Sequence, residues 1–318
     1  MTPTQLRAFA TVVRLGSVKA AAADIGVTEA AVSLHVGQLR KELGDQLFKR
    51  TASGLAFTPG GLRLASRAVE MLGLQDRTVL EVREAGAGRR MLRLATSALF
   101  AEYAAPGLIS LFAERAKDLD VELSVHPTSQ FEQLLVTRTV DATIGPRPAR
   151  ADSTISSTLF LNYEVIAVAS PEHRFAQSEP GVQMLRDETW LLGPSAAEES
   201  GVIPAVIRRL GVSEERQQIF QSHAAALEET KRGRGLSLTL SFPVTQDLAA
   251  KRLVRLPGRL LQAQGAWSIS TLPGQQATPA AEEMTRFVTT PRAIQSMLRG
   301  RAVAHGRFHP AVHVTLWS

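Results

Sequence analysis

The chain has 318 residues, 44% of them apolar and 21% charged, with no cysteine and a formal net charge of +6. This length exceeds one small module and suits two or three domains with their own cores. The lack of thiols excludes disulfides, thiolate zinc sites and any cysteine nucleophile or redox switch.

Residues 3–25 carry helical periodicity, with Leu6, Phe9, Ala10, Val13 and Leu15 as one apolar stripe. Gly16 and Ser17 interrupt it, and Ser17 can cap a second helix through Ala20–Ala23. Gly26 ends that helix, with Val27 expected as a buried turn residue. Thr28 caps a third helix, and Glu29 sits in its first turn, where a carboxylate suits the helix dipole. Ala31, Val32, Val36, Leu39 and Leu43 form its apolar face, and Gly44 is its expected C-cap. A Leu47–Phe48 strand, an Ala52-Ser53-Gly54 turn and a Leu55–Phe57 strand make a small β-wing. Thr58-Pro59 opens a long helix to about Glu84, with the hydroxyl at the cap and proline in the first turn. Its stripe of Leu62, Ala65, Val69, Leu72, Val79 and Val82 is more than an isolated helix can bury, so pairing with a second copy is expected.

Ala85–Arg90 reads as a hinge. Beyond it the texture changes to strands alternating with helices. Strands are predicted at 91–96, 121–127 and 141–145, with helices at Leu99–Arg115 and Phe131–Thr137. This order predicts a parallel sheet with helices on its faces. The pattern returns after residue 160: strands at 163–170, 189–194, 217–222, 235–240 and 266–272, and helices at Gly201–Leu210, Ala224–Arg232, Pro279–Thr289 and Pro291–Arg301.

Charge is uneven along this layout. Residues 1–60 hold seven Lys/Arg and four Asp/Glu, and residues 284–318 hold five Arg and no acid, so the middle is slightly acidic. Basic ends suit a polyanion gripped by part of the molecule. The acid-free stretch is either a solvated helix and tail, or a contact to DNA or to an acidic neighbouring subunit. His305, His309 and His313 recur every four residues, but Pro310 interrupts any helix there, so neither a metal site nor a cofactor is expected. No apolar run reaches the length of a membrane span, and no basic n-region precedes an apolar block, so a cytoplasmic protein without membrane contact is expected.

Residues 21–39, AAADIGVTEAAVSLHVGQL, carry the most chemistry. Small alanines let two helices cross closely, and the Gly26 turn sets their angle. The third helix presents Thr28, Ser33, His35 and Gln38 away from its apolar stripe. Short polar side chains on such a helix can reach base edges in the major groove of double-stranded DNA.

From Leu6 to Gly61 the sequence resembles the LysR-type transcriptional regulators almost position by position. The family marks stand here as Ala31-Val32-Ser33, Leu43-Gly44, Leu47-Phe48-Lys49-Arg50 and Phe57-Thr58-Pro59-Gly60-Gly61. Softer marks follow in DATIGPRP (141–148), SPEHRFA (170–176) and GRGLSLTL (233–240) with LAAKRLVRL (248–256). The resemblance implies DNA contacts at Thr28, Glu29, Ser33, His35 and Gln38, with Lys49 and Arg50 on phosphates or in the minor groove beside the wing. Three positions depart from the family pattern. Glu29 stands where glutamine or proline is usual, Ser53 where the wing is usually basic, and Arg40 where glutamate is common.

The second part resembles the family's effector-binding portion, which has the periplasmic binding protein fold. It implies two α/β subdomains with a small molecule, expected to be an organic anion, held between them by hydroxyls and helix N-termini. Thr96 and Ser97, Thr128 and Ser129, Ser195, and Ser222 with His223 all fall where a strand ends or a helix begins. His173 reads as a structural loop residue.

The expected architecture is α/β. It comprises a winged helix-turn-helix at 1–60, a linker helix and hinge at 61–90, an effector domain at 91–304 and a tail at 305–318. Within the effector domain, subdomain I takes about 91–160 and 273–304, and subdomain II about 161–272. The expected function is a DNA-binding regulator, dimeric or tetrameric, controlled by a small molecule and acting on RNA polymerase. The alternatives are a regulator with a vestigial pocket, or a small-molecule binder without a regulatory role. A transport protein would need a signal sequence, and a DNA-architectural protein would not need the α/β part. An enzyme is not expected: there is no GxSxG, Walker loop or HExxH, and the glycines of 233–235 precede a strand rather than follow one.

Overall fold

The computed structural model describes residues 1–51, 54–87, 90–147, 154–199 and 201–299, without the side chains of 50, 54, 80, 81 and 83–87. Ser53, the side chain of Arg50, hinge residues 88 and 89, the histidines 305, 309 and 313, and the tail therefore lie outside the described residues. The chain forms two compact units, the first comprising Met1–Ala87 with Val136–Thr139 and the second the rest.

In the first unit α1 (Pro3–Leu15), α2 (Val18–Ile25) and α3 (Glu29–Leu43) are each punctuated by local chemistry. Thr2 and Gln5 form a reciprocal capping box on α1. Ser17 accepts from the Ala20 N–H and Thr28 from the Ala31 N–H, so each hydroxyl satisfies an orphan donor. Gly16, Gly26 and Gly44 end the three helices in the left-handed region. Leu6, Phe9, Val12, Val18, Ala21, Val32, Val36 and Leu39 meet in one core. Leu15, Val27 and Leu43, expected inside, are exposed. Leu15 and Leu43 close their helices and Val27 lies in the turn between α2 and α3, all at the margin of a core too small to reach them.

β1 (Phe48–Thr51) and β2 (Gly54–Phe57) pair antiparallel, Phe48 opposite Phe57 and Thr51 opposite Gly54. The wing is thus longer than predicted by residues whose backbone, not hydrophobicity, continues the ladder. α4 (Pro59–Ala87) follows. Its apolar residues split between two faces rather than one stripe. Leu64, Ala65, Ala68 and Leu72 pack on the winged core, while Leu62, Met71, Leu74, Val79 and Val82 are exposed.

The second unit is built on a seven-stranded sheet. In chain order the elements are β3 (Arg90–Thr96), α5 (Ala98–Tyr103), α6 (Ala105–Arg115), β4 (Leu119–Val125), α7 (Phe131–Val136), β5 (Ala142–Pro146) and β6 (Ser156–Ala169). There follow α8 (Val182–Arg186), β7 (Trp190–Leu192), α9 (Val202–Leu210), β8 (Gln217–Ile219), α10 (His223–Lys231), β9 (Ser237–Leu240), α11 (Thr245–Ala249) and β10 (Val254–Arg255). The last are β11 (Gln262–Thr271), α12 (Pro279–Val288) and α13 (Pro291–Arg299).

The predicted Leu99–Arg115 helix is two helices. Pro106, in the first turn of α6, has no N–H to give the Glu102 carbonyl and its ring clashes with that carbonyl, so the helix breaks at Ala104.

The sheet order is β10-β6-β11-β5-β3-β4, with β9 also on β6. β3 runs parallel to β4 and β5, and β7 parallel to β8. The expected parallel sheet holds for β3, β4 and β5, whereas β6 and β11 run antiparallel. These two long strands pair antiparallel from Ser156–Thr271 to Ile166–Gln262, with a register shift between Trp267 and Ser268. β11 also pairs antiparallel with β5, and β6 with β9 and β10. β6 and β11 therefore serve both halves of this unit. α6, α12 and α13 pack on the β3–β4 side, and α9 and α10 on the side of β7 and β11. Trp267, Phe100, Phe112 and Trp190 anchor the core.

Candidate nucleic-acid interface and ligand cleft

Val32, Val36 and Leu39 turn one side of α3 into the core. The opposite side is exposed: Ala30, Leu34, Gly37 and Lys41 at its centre, with Thr28, Glu29, Ser33 and Gln38 at its start and flanks. Gln38 accepts a hydrogen bond from Gln5 at 3.0 Å, so α1 holds that amide. A Cβ on Gly37 would meet nothing, and together with Ala30 and Ser33 it leaves a shallow strip where another backbone can approach. His35 differs from expectation. It lies half-buried on the flank beside Leu39, and its Nδ1 has no partner among the described residues. Periodicity alone misses Ala30, Leu34, Gly37 and Lys41 because three of them carry no polar signal.

The wing is tied to this helix. The Arg40 guanidinium donates to the Phe48 carbonyl at 2.7 Å and lies 4.7 Å from the centre of the Phe48 ring. Arg40 thus has a packing role that a glutamate could not fill. Lys49 is exposed. The entry to the wing is strained: Leu47, buried, has φ of 62°. Asp45 holds this turn by accepting from the Leu47 N–H and, at 2.6 Å, from the Thr58 hydroxyl. The Thr58 bond above all, then the Leu47 bond, holds its carboxyl below the usual range.

In the second unit a cleft is lined by Ser97, Leu99, Pro146, Tyr163, Ser195, Glu198, Trp267 and residues 201–204. Its free volume is about 20 Å³, room for a water or two. The start of α9 forms one wall, with first-turn N–H groups that no helical carbonyl reaches. Ser97 follows β3, is 3% exposed and has no partner for its hydroxyl among the described residues. Trp267 is fully buried beside Tyr163, ring centres 4.7 Å apart, and its Nε1 is likewise unpartnered among the described residues. Thr128 donates to the Glu198 carboxylate at 3.0 Å. Burial raises the Glu198 pKa against the lowering effect of Thr128 and His223. Burial, then the Glu198 charge, pushes the Tyr163 phenol up to about 12.

Behind this wall Ser195 Oγ lies 2.7 Å from Nε2 of His223, whose Nδ1 is 2.8 Å from Glu102 Oε2. Glu102 also accepts from the His223 and Ala224 N–H groups, capping α10 with a carboxylate from α5. Burial pushes the Glu102 pKa up, but the bonds and charge of His223 and the two N–H groups outweigh it and hold it below the usual range. Because Nδ1 faces a carboxylate, it carries a proton, and Nε2 shares a hydrogen bond with the Ser195 hydroxyl. Two glycines make room: a Cβ on Gly193 would run into the His223 ring, and one on Gly265 into the Tyr163 ring.

The expected residues therefore divide. Ser97, Thr128, Ser195 and His223 come together at the cleft or directly behind it. Thr96 is buried without a hydroxyl partner among the described residues and does not line the cleft, Ser129 is exposed, and Ser222 caps α10 by accepting from Ala225 N–H. His173 accepts from the Phe175 N–H and meets that ring edge-on, a loop role as expected. Glu102, Glu198, Tyr163 and Trp267 carry no local motif that would single them out in sequence. Only Glu198, in an acidic run before Gly201, leaves a trace there. No described helix is long and apolar enough to cross a membrane, and no three described His or acidic residues are grouped to hold a metal.

Two family profiles match the chain: "Bacterial regulatory helix-turn-helix protein, lysR family" over residues 3–62 and "LysR substrate binding domain" over 85–291. An HTH-type transcriptional regulator of Mycobacterium tuberculosis is 54% identical, with all of both chains covered. The RuBisCO operon transcriptional regulator of Allochromatium vinosum is 26% identical over 91% of this chain and 96% of its own. Among solved structures, full-length LysG of Corynebacterium glutamicum with bound effector Arg superposes with a TM-score of 0.57 at 20% identity, covering 93% of this chain and 99% of that one. ArgP of Mycobacterium tuberculosis gives 0.60 at 18%, covering 91% and 96%.

Proposed function

Because the chain belongs to the LysR family of bacterial helix-turn-helix transcriptional regulators, we propose that it reads an operator with the solvent face of α3 and the wing, and that a small molecule in the Ser97–Trp267 cleft sets its output. The exposed strip of Ala30, Ser33 and Gly37 between Thr28 and Lys41 carries the first half of this reading. Small residues admit the groove, Thr28, Ser33 and Gln38 reach base edges, and Glu29 favours a cytosine amino group. Lys49 and Arg50 take phosphate. His35 positions the helix rather than touching DNA.

The second half rests on the buried, unpartnered Ser97 hydroxyl facing the start of α9. A ligand that satisfies these groups separates the cleft walls and moves the two halves joined by β6 and β11. The chain works in the cytoplasm, where its DNA is, and its output reaches RNA polymerase through DNA geometry. The exposed apolar residues of α4 pair with a second copy, placing two winged units on two half-sites.

A gel shift on the DNA upstream of its own reading frame tests this. Affinity is expected to fall steeply with salt, and Lys49→Ala to reduce the salt slope by about 1. Binding that ignores both salt and Lys49 would contradict it.

A further inference from the structure

We propose that the cleft takes a small zwitterion, with an ammonium group on Glu198 and a carboxylate facing Ser97 and the start of α9. This deepens the effector reading above and rests on it. The groups facing the cleft sort into two sets. On one side stand donors: the Ser97 hydroxyl, without a partner among the described residues, and the N–H groups of Val202 and Ile203 in the first turn of α9, which no helical carbonyl reaches. They call for an anionic oxygen.

On the other side stand acceptors and negative charge. The Glu198 carboxylate offers four lone-pair sites. Thr128 donates to it, with its hydroxyl at 3.0 Å and its backbone N–H, and leaves acceptor capacity for a ligand. The Ser195 hydroxyl, also on the cleft, keeps a lone pair for a ligand while it is bonded to His223. No described Lys or Arg lines the cleft to neutralise Glu198. A plain carboxylate ligand would satisfy the first set and be repelled by Glu198. A plain amine would satisfy the second and leave the donors unpaired. A molecule with both charges on a short carbon frame satisfies both. The free volume is small, so the walls part on entry.

Three matched probes separate the cases: β-alanine, propionate and n-propylamine, added to the full chain during thermal unfolding. Trp190 and Trp267 are buried in the second unit, so a change in their fluorescence follows its unfolding. β-Alanine is expected to raise Tm by about 3 °C at saturation, and propionate by less. Glu198→Gln is expected to erase the difference between the two. A propionate shift equal to or above that of β-alanine in the unmutated chain overturns the proposal while leaving the sensor reading intact, and needs no variant. So does a difference that survives in Glu198→Gln. No shift with any probe overturns the sensor reading itself.

Discussion

The Ser195 hydroxyl lies 2.7 Å from Nε2 of His223, and the opposite nitrogen of that ring is committed to Glu102. Hydroxyl, imidazole and carboxylate stand in the order of a nucleophile, its base and an orienting acid. Here the chain of bonds holds the Ser195 hydroxyl at the edge of the cleft. Gly193→Ala should break it by displacing the imidazole, lowering stability by about 1–3 kcal/mol in chemical denaturation. An unchanged midpoint would show that the ring has room. Turnover of p-nitrophenyl acetate is expected to be equal in the native chain and in Ser195→Ala.

Glu102 links α5 to α10, and its effect should depend on pH. Its folded pKa lies below the ordinary value, so its contribution is full above the usual carboxylate range and is lost as pH falls through the folded value. Glu102→Gln should therefore destabilise by about 1–3 kcal/mol at pH 7 and by much less in acid. Denaturation midpoints of the two chains that stay equally far apart down to acid pH would rule out this role.

Gly37 tests the α3 face without disturbing the fold. A Cβ there meets nothing, and alanine is the better helix former, so Gly37→Ala should raise stability by about 0.5–1 kcal/mol. The same methyl would stand between the helix and a groove, and operator affinity should drop. Affinity that holds would move the DNA contact elsewhere. In a binding-site selection, Glu29→Gln should change the preferred bases.

Arg40 should behave as a brace. Arg40→Ala removes its bond to the Phe48 carbonyl and its ring contact, costing about 1 kcal/mol and loosening the wing. Lysine cannot make both contacts in the same geometry, so Arg40→Lys should recover only part of the DNA affinity. Full recovery would mean that charge alone matters.

Val82→Lys, with Leu74→Lys, puts charge on the exposed face of α4 and is expected to yield monomers in sedimentation while the winged core stays folded. Dimers that persist would place the interface elsewhere.

The winged unit is legible in sequence because its signals are local. Thr28 and Gly44 bracket α3 by themselves, and Val32, Val36 and Leu39 announce its buried side. The cleft is less legible because it is assembled from distant places. Glu102 meets His223 across more than a hundred residues, and nothing near either one marks the pair. Hydroxyls at strand ends look alike in sequence: Ser222 caps a helix, while Ser97 faces the cleft with no partner among the described residues. The antiparallel course of β6 and β11 is hidden for a related reason, since apolar runs fix burial but not direction. Leu62 and Ala65 look like one stripe on α4, and only the packing on Ala68 and Leu72 shows that two faces share that helix.

The register shift between Trp267 and Ser268 interrupts the long β6–β11 ribbon at the residue that floors the cleft. A slipped rung is where a ladder bends most easily, because one residue is left without its cross-strand mate. The ribbon's most compliant point therefore coincides with a residue of the cleft wall. A molecule that pressed on the indole ring would push at that point, and a contact a few atoms wide would become curvature along two strands.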